Sequence, residues 1–136
     1  RVKPGQELMS EVSSYCKQNG ISSGVILNII GSVESIRLGT PPKDCACAFK
    51  DLTGPVYEFK DYTGPLSLVS GQGNIALKGE DLMFHIHVVL SGGQHKLGGH
   101  LVEAKVWATA EVVIGELDYQ LRRVADPETG IVVLQS

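Results

Sequence analysis

All four histidines of this chain fall between Phe84 and Leu101, and three of them are spaced to share one metal ion. In an extended strand successive side chains alternate faces, so His85 and His87 point the same way, with Cα atoms roughly 6.6 Å apart. Two imidazoles at that separation can lean onto one cation, at nitrogen–metal distances of about 2.0–2.1 Å for zinc. Ser91-Gly92-Gly93 reads as a turn, and Gly98-Gly99 lets the returning backbone come close before His100. A hairpin return of this kind brings His100 beside the first pair. Three neutral ligands with a fourth position open is the arrangement of many catalytic sites, and it suits zinc or another divalent transition metal. The same His-x-His spacing also describes the solvated face of a half-buried sheet, and spacing alone leaves both readings open. His95, between Gln94 and Lys96, is assigned to the turn and kept out of the ligand set.

A bound zinc would leave one position for water and lower its pKa toward about 7. Glu111 is then the candidate general base, or the carboxylate that orients a ligand imidazole, and it is equally a solvated or ion-paired strand residue. Cys45-Ala46-Cys47 offers two thiols to a soft metal but has no second cysteine pair to complete four ligands. Cys16, at helical spacing from Val12, reads as a small apolar side chain. Ile29-Ile30-Gly31-Ser32 resembles a phosphate-cradling turn without the helix and lysine that such a turn requires. No nucleophile, dinucleotide loop or substrate-shaped motif is present, so the residues name no substrate class. A small-ligand-binding protein with a structural histidine cluster is the corresponding non-enzyme reading.

The elements that must position these groups are mostly strands. Leu8, Val12, Tyr15 and Cys16 mark one face of a helix from about Gln6 to Gln18, opened by Pro4-Gly5 and stopped at Asn19-Gly20. Val25–Ile30 is a buried strand, interrupted at Gly31-Ser32 and continued over Val33–Leu38 past a bulge. Residues from Thr40 to Pro55 read as loop with a short strand at Ala46–Lys50. Val56–Tyr62 is strand, Thr63-Gly64-Pro65 a turn, and Leu66–Gln72 and Gly73–Lys78 are two strands or one bent strand. Gly79-Glu80-Asp81 turns into the histidine strand. Leu101–Leu117 is the longest extended segment, with Glu103, Lys105, Trp107, Thr109 and Glu111 on one face and Val102, Ala104, Val106, Ala108 and Ala110 on the other. Tyr119–Val124 and Ile131–Leu134 close the chain around an Asp-Pro-Glu-Thr-Gly turn. One helix and many strands define an α/β chain of the α+β type, a single domain over 1–136 with a mixed or antiparallel sheet. One helix leaves sheet surface and strand edges uncovered, which points to an oligomer with Trp107 as an interface candidate.

The 136 residues are enough for one real core, and 43% hydrophobic with 20% charged residues excludes a disordered segment. A net charge of −3, with Arg122-Arg123 as the one adjacent basic pair, gives no general attraction for phosphate backbones. No apolar run approaches the ~20 residues of a membrane span, and no signal peptide is visible. Three cysteines, an odd number, suggest no disulfide framework and a reducing, cytoplasmic setting.

Phe84-His85-Ile86-His87 with Leu90, followed by Gly98-Gly99-His100-Leu101, resembles the signature of the PPC (plants and prokaryotes conserved) domain. Pro4-Gly5-Gln6-Glu7, Ile30-Gly31-Ser32-Val33 and Thr109-Ala110-Glu111-Val112 agree with it in the expected order. The resemblance implies a compact α/β domain that forms homotrimers, and in some prokaryotic members a metal held by the histidines matching His85, His87 and His100. Plant members carry the domain beside an AT-hook in nuclear proteins, which implies DNA binding or a regulatory interaction as the alternative function. This chain shows no AT-hook. The expectation is a homotrimeric, metal-binding domain whose activity is unassigned.

Overall fold

Leu8, Val12 and Cys16 lie four residues apart and are all buried, which is why Leu8–Gln18 forms a helix (α1) with one face against the core. In this computed structural model, which describes residues 1–41, 58–128 and 130–135, α1 starts at Leu8 rather than Gln6 because Glu7 caps it. The Glu7 carboxylate accepts hydrogen bonds from the Met9 amide at 3.0 Å and the Ser10 amide at 2.6 Å. It also accepts the Ala104 amide at 3.1 Å, so the same side chain fastens the helix to the sheet. Cys16 is fully buried in the core as a free thiol, the small apolar role its spacing indicated.

Four long strands follow: β1 (Gly24–Thr40), β2 (Glu58–Lys78), β3 (Asp81–Gly92) and β4 (His95–Glu116). All their pairings are antiparallel, and they close as a barrel in the order β1-β2-β3-β4. Composition and alternation indicated a sheet but not its closure. The cause lies in the bulges: the β1–β4 register shifts at four places, β1–β2 at one and β2–β3 at one. Each bulge adds twist and bend, which lets strands of 17 to 22 residues coil around a core instead of lying flat.

Three local expectations change for the same reason. Gly31 does not break β1; the strand runs through it and passes so close to β4 that a Cβ there would lie 2.2 Å from the Thr109 carbonyl oxygen. Thr63-Gly64-Pro65 is not a turn, because β2 runs through it. Val33 pairs with Leu66 and Ser35 with Thr63, so Gly64 and Pro65 fall at a bulge, where a proline without an N–H is tolerated. On β4 the inward residues are Leu101, Ala104, Val106 and Ala110, while Ala108 is exposed; bulges opposite Arg37/Leu38 and Gly31/Val33 offset the simple alternation. The Ala46–Lys50 strand and the Cys45-Cys47 pair lie outside the described residues.

β3 and β4 stay paired only from His87↔His100 to Gly92↔His95. Below that point β4 takes the N-terminal segment as its neighbour, through Val2↔Ala110 and Glu7↔Lys105. The chain ends in a small hairpin, β5 (Arg123–Ala125) with β6 (Val132–Leu134), shorter than the strands expected there. It is anchored to β2 where the Leu77 amide donates to the Leu121 carbonyl at 3.0 Å. No helix among the described residues is long and apolar enough to cross a membrane.

Candidate metal centre

The hairpin of β3 and β4 is what assembles the three histidines. Ile86, Val88 and Leu90 point into the core, so His85 and His87 stand on the outer wall of the barrel. The loop is two residues, Gly93 and Gln94, with Gly93 at φ +56°, the glycine-first chemistry of tight hairpin turns. This register sets His100 directly across from His87. The ligand-capable nitrogens of His85, His87 and His100 lie within 4.8 Å of one another. Ring centroids are 5.0 Å apart for His85–His87, 5.2 Å for His85–His100 and 5.6 Å for His87–His100.

The donor set fits a metal of zinc's size. Tetrahedral coordination at zinc–nitrogen distances of about 2.0–2.1 Å places ligand nitrogens roughly 3.3–3.4 Å apart. His85 Nε2 and His87 Nε2 are 3.1 Å apart, so only small ring rotations separate the present arrangement from such a geometry. Two of the rings are also held in the form a ligand needs. Burial, followed by the neighbouring charges of His85, His87 and Arg123, pushes His100 down to about 4. Burial, then Arg123 and His87, lowers His85 as well. Both are therefore neutral near pH 7, with nitrogen lone pairs available.

Glu111 is not brought to this cluster. It stands exposed opposite Ile30 of β1, whereas His100 stands opposite Gly39. Nine residues of β1 separate those positions, roughly 30 Å along the strand and far outside side-chain reach. A role as base or orienting carboxylate at these histidines does not hold within the chain. The family-like Thr109-Ala110-Glu111 segment instead packs its alanine into the core. His95 opens β4 rather than sitting in the turn; it is exposed, edge-on to Tyr62 and apart from the cluster.

Two neighbours escaped the sequence reading. Asn74 of β2 pairs with His85 across the sheet and so shares its face. Arg123, from the C-terminal hairpin, donates from Nη2 to Asn74 Oδ1 at 2.5 Å and is only 5% exposed. In the sequence, Arg123 was half of a basic pair with no local sign of its destination.

A barrel of antiparallel strands with one N-terminal helix and a trihistidine cluster on its hairpin defines a distinct class of small domain. The chain belongs to the Plants and Prokaryotes Conserved (PCC) domain family, whose pattern matches residues 1–118. It is similar to a PPC protein from Pyrococcus horikoshii, at 28% identity and TM-score 0.80, over 99% of this chain and 87% of that one. It is equally similar to a protein from Archaeoglobus fulgidus described as metal-containing, at 28% identity and TM-score 0.82, over 99% of this chain and 89% of that one. Among curated proteins it resembles the bifunctional protein GlmU of a Synechococcus strain, 26% identical over 139 residues. That match takes in 98% of this chain but 19% of the relative, so the chain spans about a fifth of the curated relatives it matches.

Proposed function

We propose that this is a metal-binding PPC-domain protein in which His85, His87 and His100 hold zinc or another divalent transition metal, with the reaction unassigned. The observation that carries this is the convergence of three imidazoles on one point of the barrel wall. The A. fulgidus relative described as metal-containing supports it. A divalent metal there would supply a Lewis-acid position for an electron-rich ligand group. This chain's own contribution is to fix the three rings on a two-residue hairpin and to hold Arg123 on Asn74, opposite His85. The test is elemental analysis of protein purified without an affinity tag and re-equilibrated with zinc, followed by X-ray absorption. One metal per chain with three nitrogen ligands at about 2.0–2.1 Å is expected. A clearly substoichiometric content would sink the reading.

We also propose a homotrimer. Barrel closure removes much of the edge argument for assembly, but the outer wall still exposes Leu27, Ile30, Val69, Val89, Trp107 and Val113. Light scattering should return three times the chain mass, and a monomer would refute this. The odd cysteine count and buried free Cys16 support a cytoplasmic setting. The net charge of −3 argues against duplex DNA as a partner.

A further inference from the structure

Arg123 carries a charge that no carboxylate among the described residues neutralises. It is 95% buried by the complement of its 5% exposure, and a guanidinium taken out of water is costly unless paired. Among the described residues its one hydrogen bond with a side-chain partner goes to the neutral Asn74. Its Nε is buried without a partner, and among the described residues no carboxylate forms an ion pair with it. Asn74 stands opposite His85, a pairing that sets the two Cβ atoms about 4.5–5.5 Å apart, so the guanidinium lies beside the histidine cluster. Placing a divalent cation on the histidines would put a second, larger positive charge next to the first. Two positive charges this close repel, and an anion between them offsets that repulsion.

We propose that Arg123 and the cation held by His85, His87 and His100 together grip one small oxyanion, a carboxylate or phosphate group, on the outer wall of the barrel. The inference rests on the metal reading above and adds the chemical class of its ligand. A guanidinium suits this role because its planar donors match carboxylate and phosphate oxygens two at a time. The group comes from the segment beyond residue 118, outside the part of the chain that matches the family pattern.

The test uses full-length, zinc-loaded protein with zinc content measured for each variant. Sodium acetate and inorganic phosphate are titrated separately by calorimetry at fixed ionic strength, and the two arms decide which oxyanion is preferred. The parent should bind one anion per zinc. Arg123→Gln should keep its zinc and bind the anion at least tenfold more weakly, while Arg123→Lys retains part of the affinity. Should Arg123→Gln fail to fold, Asn74→Asp carries the test: it keeps the guanidinium, gives it an internal carboxylate of the same size, and should weaken anion binding at least tenfold. Undiminished binding in the folded variants, or no binding to a fully zinc-loaded parent, overturns this inference alone. A parent that takes up no zinc overturns the metal reading with it, and is recognised before any anion is added.

Discussion

His87→Ala should abolish tight metal binding while leaving the metal-free fold intact. His87 is exposed, opposite His100 at the last rung of the β3–β4 ladder, and its Nε2 is 3.1 Å from that of His85. Truncation removes one of three ligands and touches no core residue, so the metal-free variant should stay within about 0.5 kcal/mol of the parent. Loss of an outer hydrogen-bond partner of a ligand already costs roughly 10–100-fold in affinity, so loss of a ligand should cost at least about 100-fold. At free zinc 100 times the parent dissociation constant, the parent gains about 2.7 kcal/mol of stability and a 100-fold weaker variant about 0.4. With an unfolding entropy of about 2.1 cal/mol/K per residue over 136 residues, the 2.3 kcal/mol difference is a gap of about 8 °C in zinc-induced melting shift. Scanning calorimetry at one protein concentration, with and without zinc, reads it directly. His95→Ala should behave as the parent. If His87→Ala shows the parent's full zinc shift, the three rings do not share a metal.

Three further outcomes follow from the supports of the site. Glu7→Ala removes the α1 cap and strands the Ala104 amide, so urea unfolding should show a loss of about 2–3 kcal/mol; a loss under about 0.5 would mean the cap is dispensable. Gly73→Ala would put a Cβ 2.1 Å from the His85 carbonyl oxygen, forcing β2 and β3 apart, and should cost about 1–3 kcal/mol together with metal affinity. Parental zinc affinity in that variant would show that the hairpin holds its geometry without β2. For the metal-free protein, burial and neighbouring charges hold His100 at about 4 against its ordinary 6.5, so between those values the unfolded chain binds more protons. Stability is therefore full above pH 6.5 and falls as pH drops toward 4; His100→Asn should flatten that slope in acid titrations of unfolding, and an unchanged slope would exclude His100 as its source.

The histidine cluster was legible because everything that assembles it is short-range. Strand alternation puts His85 and His87 on one face, and a two-residue hairpin pairs His87 with His100. The barrel was not legible, because its bulges are register differences between strands. Nothing in Arg37-Leu38 or in Leu101-Val102-Glu103 alone says that Val102 will be left over when the two meet. Misplacing Ala108 on the inner face is the same failure at the bulge opposite Gly31/Val33. Glu7 shows a milder case: Pro4-Gly5 suggested a helix start close by, but the bond from Glu7 to Ala104, 97 residues away, had no local trace.

Arg123 is the extreme case, and it bears most on function. A strand's period of two carries the face of a residue, and a tight turn carries the pairing of its neighbours. Neither carries what a later segment folds against. The Asn74–Arg123 bond spans 49 residues, and it fixes a positive charge beside the strand that carries His85. Three imidazoles on a barrel wall would suit many ligands. The same three beside a buried guanidinium disfavour cationic ligands by like-charge repulsion and favour those that bring their own negative oxygens. The specificity of the site is thus set by the part of the molecule its motif does not contain, so variation at position 123 among chains sharing the histidines should track the charge of what they bind.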